Sequence, residues 1–147
     1  IKAALPKAKI VYVKRHPLDT CFAIYKQLFT NGYPFSYDLN ELAEYYIAHH
    51  QMMQHWLQIY GEEIHVIEYE NVVSDLAQEA RNLLVYCGLE WQSACIEFER
   101  NVQPSTTASA AQVRQKIYRS SAGKWRQYEK QLQSLKNQLE KAGINCD

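Results

Sequence analysis

Residues 10–13, Ile-Val-Tyr-Val, are apolar and mostly β-branched with no polar residue among them, and Pro17 follows closely. A run without alternation suits a strand buried on both faces, as in a parallel sheet covered by helices. Lys14 and Arg15 end it. Pro17 pushes His16 away from helical geometry, so His16-Pro17-Leu18-Asp19 is predicted as a turn, with Asp19 or Thr20 capping a helix that runs to about Phe29. Ile64-His65-Val66-Ile67-Glu68-Tyr69 repeats the strand signal and leads through Glu70-Asn71 into another turn. Strands alternating with helices point to an α/β fold with parallel pairing. Two strands are too few to bury both faces of a sheet. Either further strands lie outside this chain or the sheet is unusually small; the expectation is a helix-rich α/β fold whose parallel sheet is flanked by helices.

The intervening segments carry helix signals. Asn31-Gly32-Tyr33-Pro34 breaks the first helix, and Asp38 with Glu41 has the spacing of a capping box. A long helix is expected from there, with Leu42, Tyr46, Met53, Trp56, Leu57 and Tyr60 at helical spacing and Gly61 as its cap. Ser74 can cap a helix over Asp75 to Cys87, closed by Gly88, and a shorter helix is expected from Gln92 to Glu99. Residues 101–111 are small, polar and broken by Pro104, which predicts a loop. The last helix is expected from Gly123 to Ala142. Its apolar residues Trp125, Tyr128, Leu132, Leu135, Leu139 and Ala142 alternate by three and four. So short a seam favours docking within its own domain over a homodimer through this helix.

Composition narrows the function. A length of 147 residues fits one domain by count, and 47% hydrophobic with 22% charged residues excludes a chain-wide disordered reading. Lysine plus arginine and aspartate plus glutamate number 16 each, so no general field draws the chain to nucleic acid or anionic membrane. Any anion site must be local. No apolar run approaches the roughly 20 residues of a membrane helix, so no membrane partner is expected. Cys21, Cys87, Cys95 and Cys146 are scattered with no C-x-x-C pair, which fits reduced thiols and a cytoplasmic compartment. His49, His50 and His55 include no pair four apart, so no metal site is expected.

Two places could hold an anion. Arg15 stands where the first strand ends and a helix is about to begin, the position at which open α/β sheets bind ligands. Its guanidinium fork suits phosphate or sulfate, although a surface pair with Asp19 is an equally simple use of it. The second place is 112–126, where Arg114, Lys116, Arg119, Lys124 and Arg126 occur with Ser120, Ser121 and Gly123 and no acidic residue. Trp125 would anchor the helix start there. Tyr33, Phe35, Tyr37, Tyr45 and Tyr46 bunch around one loop, as an acceptor-binding rim or simply as packing.

Taken in order, the strand Ile10 to Val13 with Arg15-His16-Pro17-Leu18-Asp19, then Tyr69-Glu70-Asn71-Val72, then Tyr118-Arg119-Ser120-Ser121-Ala122-Gly123-Lys124-Trp125 resembles the nucleotide-dependent sulfotransferases. The order is most similar to the bacterial tetratricopeptide-linked sulfotransferases and the protein-tyrosine sulfotransferases. The resemblance implies a P-loop-like fold, of which residues 1–147 would be the carboxyl-terminal part of a single domain, a partial parallel sheet missing its amino-terminal strands. It also implies the co-substrate 3'-phosphoadenosine 5'-phosphosulfate and a hydroxyl-bearing acceptor, which could be a small molecule, a glycan or tyrosine. Arg15 matches the arginine on the donor's 3'-phosphate, Lys124 a cation of the same pocket, and Tyr69 the tyrosine that meets adenine. Ser109 matches a serine beside the transferred sulfuryl group. Arg119 falls beside a phosphate motif without reproducing it, since Ser120 stands where that motif has glycine. Ala23 replaces a serine that normally shares the 3'-phosphate, a loss of about 1 kcal/mol. The 5'-phosphosulfate loop and the catalytic base have no counterpart before Arg15, so the chain alone is expected to be inactive. The rival readings are a non-catalytic helical interaction module with a degenerate nucleotide fold, and a P-loop kinase relative.

Overall fold

A computed structural model describes residues 1–29, 32–97, 117 and 121–147. It is helix-rich α/β, with a parallel sheet of two strands, β1 (Ile10–Lys14) and β2 (Ile64–Glu68). The helices are α1 (Pro17–Tyr25), α2 (Leu39–Tyr60), α3 (Tyr69–Ser74), α4 (Leu76–Cys87) and α5 (Glu129–Lys141). The chain forms two compact units, one of Ile1–Val13 with His65–Arg119 and the other of Lys14–Ile64 with Ser120–Asp147.

The first unit carries the sheet. Ile67 on β2 is buried, and the apolar side of α4, Leu76, Ala80, Leu83 and Leu84, faces Val13 and Ile67 across a cavity of about 410 Å³. Asp75 starts α4, its Oδ1 accepting from the Gln78 N–H at 3.0 Å, and Gly88 closes it in the left-handed region. Tyr86 near the end of α4 reaches β1, where its hydroxyl donates to the Ile10 carbonyl at 3.0 Å and accepts from the Ile10 N–H at 3.1 Å. His65 stacks on one side of that ring at 4.9 Å between centroids, and the Lys9 ammonium lies 4.9 Å from the ring centre.

The second unit is helical. Leu18 and Cys21 of α1, Leu42 and Ala43 of α2, Trp125, and Leu132, Leu135 and Leu139 of α5 close one core with Ile144 and Cys146. Asp38 caps α2 as its spacing predicts, accepting from the N–H groups of Asn40 at 2.8 Å and Glu41 at 3.0 Å. Gly61 ends α2. The three leucines of α5 are buried against α1 and α2, so the seam that a second copy would need is filled from within.

Several local expectations are corrected. The first helix stops at Tyr25 rather than Phe29, whose backbone N–H instead donates to the Tyr37 hydroxyl at 2.8 Å while its carbonyl accepts from the same hydroxyl. Neither Asp19 nor Thr20 caps α1. His16 occupies the cap without a side-chain bond, and Asp19 lies inside the helix, buried. The turn expected at Glu70-Asn71 is helix α3, and Asp75, not Ser74, caps α4, since Ser74 is the last residue of α3. The helix expected over 92–99 is a 3₁₀ turn at Ser93–Cys95, with residues 98–99 outside the described residues. The loop at 101–111 also lies outside them. The last helix begins as a 3₁₀ segment, Lys124–Tyr128, and becomes α-helical only at Glu129.

Candidate donor-phosphate site

In the second unit the chain leaves β1 through Arg15 and His16 before Pro17 opens α1. Three successive features of this short stretch seize the segment 121–125. The Arg15 Nη2 donates to the Ser121 carbonyl at 2.5 Å. His16 stacks on the Trp125 indole, the ring centroids 5.3 Å apart and the planes within 10°. Asp19, 1% exposed, accepts from the backbone N–H of Gly123 at 2.5 Å and from that of Trp125 at 3.0 Å. A buried carboxylate needs such donors, since an unsatisfied one would be strongly destabilising.

Arg15 and residues 121–125, the described part of the second place read from sequence, are therefore in contact. Arg15 reaches the segment that carries Lys124, and Lys124 is exposed at the first position after Gly123. The Arg126 guanidinium lies 5.0 Å from the centre of the Trp125 ring. A guanidinium has five N–H donors, and the bond to Ser121 uses one of them. Nearby, burial first, then Lys14 and His49, push His50 below the ordinary histidine value, which keeps it neutral at pH 7.

Tyr69 stands in the first unit, as the first residue of α3 directly after β2. It lines the apolar cavity with Val13, Ile67 and Val72, and Glu79 is the one charged side chain among the described residues of that lining. A flat, weakly polar ring system suits such walls. Ser109 and Arg119 lie outside the described residues. Sequence reasoning missed the part played by Asp19. Its partners are two backbone N–H groups more than a hundred residues away, which no local pattern in the sequence marks.

Among the described residues no group of three histidine, cysteine or acidic side chains is placed to hold a metal ion, and no helix is long and apolar enough to cross a membrane.

The sequence model of the Sulfotransferase family matches residues 1–93, a span that includes Arg15 and Tyr69 but not Lys124. An uncharacterized protein of Aquifex aeolicus (strain VF5) is 35% identical over 130 residues, which cover 86% of this chain. The chain spans only 17% of that relative's length.

Proposed function

The chain belongs to the sulfotransferase family, and from that premise we propose that it supplies the 3'-phosphate and adenine side of a site for 3'-phosphoadenosine 5'-phosphosulfate. In this reading residues 1–147 are the carboxyl-terminal part of one domain, akin to the tetratricopeptide-linked and protein-tyrosine branches. Arg15 and Lys124 hold the 3'-phosphate, Tyr69 meets the adenine, Arg119 adds positive charge, and Ser109 lies beside the transferred group. The acceptor's hydroxyl oxygen attacks sulfur, the bond from sulfur to the bridging phosphate oxygen breaks, and the electron pair leaves with 3',5'-adenosine diphosphate. A base takes the hydroxyl proton. Cations beside the leaving phosphates stabilise the charge that develops there. The four cysteines, all free, fit the reducing cytoplasm as the place of action.

The observation that carries the reading is the Arg15 hydrogen bond to Ser121, because it ties the strand-end arginine to the segment bearing Lys124. Calorimetric titration of 3',5'-adenosine diphosphate into the complete protein tests it. Arg15→Ala should weaken binding by about ten- to a hundredfold, the worth of a charge-assisted hydrogen bond. Unchanged affinity would remove Arg15 from the site.

A further inference from the structure

The aromatic residues at the start of α2 have a use that packing does not explain. Tyr33 is the one non-glycine residue with positive φ among the described residues, at φ 55° and ψ 49°. A bulky side chain in the left-handed region is disfavoured, and such strain persists where something other than backbone comfort selects it. The Tyr33 ring is 57% exposed and meets two rings edge-on, Phe29 at 5.2 Å and Phe35 at 6.0 Å between centroids. Phe35 is rooted against the core of the second unit and stacks face to face on Tyr45, 4.0 Å between centroids and 13° between planes. Tyr45 is again half exposed. The three rings form a ladder with polar hydroxyls at both outer rungs, and neither hydroxyl bonds to a described residue.

We propose that this ladder is a saccharide-binding subsite that receives an uncharged sugar chain; only its designation as the acceptor side rests on the donor-site reading above. A sugar ring offers an apolar C–H face to an aromatic ring and hydroxyls to the phenol groups, so it satisfies both parts of the ladder. A purely apolar ligand would bury the Tyr33 and Tyr45 hydroxyls without partners. Charge excludes an acidic peptide or a polyanionic glycan: residues 32–45 carry Asp38, Glu41 and Glu44 and no lysine or arginine. The same carboxylates would disfavour a sugar once it carried a sulfate, which speeds its departure.

Titration of the protein with cellohexaose, an uncharged oligosaccharide with apolar ring faces, tests the subsite by calorimetry and tyrosine fluorescence. Saturable binding is expected, weakened about tenfold in Tyr45→Ala, the scale of one lost aromatic stack. Tyr33→Asn should weaken it similarly while leaving Tm no lower than wild type, since asparagine accepts the left-handed region. A ring needed only for packing would lower Tm. No binding of cellohexaose, affinity unchanged from wild type in both variants, or tighter binding of a heparin hexasaccharide or of 4-methylphenol would each overturn the proposal. Titration of 3',5'-adenosine diphosphate into the same samples reports the donor site separately, so the two readings can fail independently.

Discussion

The Asp19 carboxylate and the Trp125 backbone N–H, 106 positions apart in sequence, meet at 3.0 Å in a buried hydrogen bond. With the second bond to Gly123, one acidic side chain fixes where the final helical segment begins. Asp19→Ala would strand two N–H groups and is expected to cost about 3 kcal/mol. Asp19→Asn, which keeps one acceptor oxygen, should cost less. Urea denaturation of both variants checks the order, and 3',5'-adenosine diphosphate affinity should fall with it because the same bonds position Lys124.

Gly123 sits at φ 72°, and a Cβ there would come 2.7 Å from the Arg126 Nη1. The guanidinium is the free end of a flexible side chain and can swing aside. Most of the penalty for Gly123→Ala is therefore the dihedral, about 1 to 2 kcal/mol. The double variant Gly123→Ala, Arg126→Ala should recover almost none of it, which chemical denaturation of the three proteins will show.

Leu135 on α5 is fully buried. Leu135→Ala should destabilise the protein by about 3 kcal/mol through lost contacts and a residual cavity. Because the side chain is spent inside the second unit, the variant's elution volume on size exclusion should equal that of wild type at concentrations where both are folded.

Burial holds two thiols neutral far into the alkaline range. Desolvation, with Cys146 as second cause, pushes Cys21 up to about 12, and desolvation followed by Glu140 pushes Cys146 up to about 11, against an ordinary value of 9.0. Above the ordinary value the unfolded chain has released these protons while the folded chain still holds them. Stability is thus fully present below pH 9 and falls as pH rises toward 11, by about 1.4 kcal/mol per pH unit for each thiol. Urea midpoints between pH 8 and 11 should show the decline, and Cys146→Ala should flatten it. Iodoacetamide at pH 8 should label the exposed Cys95 and leave Cys21 and Cys146 untouched.

Much of this architecture is legible locally. The strand at Ile10, the Asp38 cap and the Gly61 and Gly88 closures each depend on residues a few positions apart, and each is found where the sequence places it, but β1 is not buried on both faces as its unbroken apolar run suggests, since Val11 and Val13 are exposed. Arg15 is legible as an anion ligand from its place at a strand's end. What eluded the sequence is decided at long range. Whether Asp19 caps a helix, pairs with Arg15 or bridges to Trp125 depends on a segment more than a hundred residues away, and no periodicity encodes it. The early end of α1 is similar, since beyond it the backbone of Phe29 pairs with the Tyr37 hydroxyl. Ser74 and Asp75 are both good caps, and the choice fell to the second because α3 had already claimed the first.

The Tyr86 hydroxyl, in answering both the N–H and the carbonyl of Ile10, does the work of a neighbouring strand with one oxygen atom. A two-stranded sheet is otherwise an open invitation to edge-to-edge aggregation. At its first residue β1 has no backbone group left for an incoming chain, so Tyr86 blunts that end of the edge as well as pinning helix to strand.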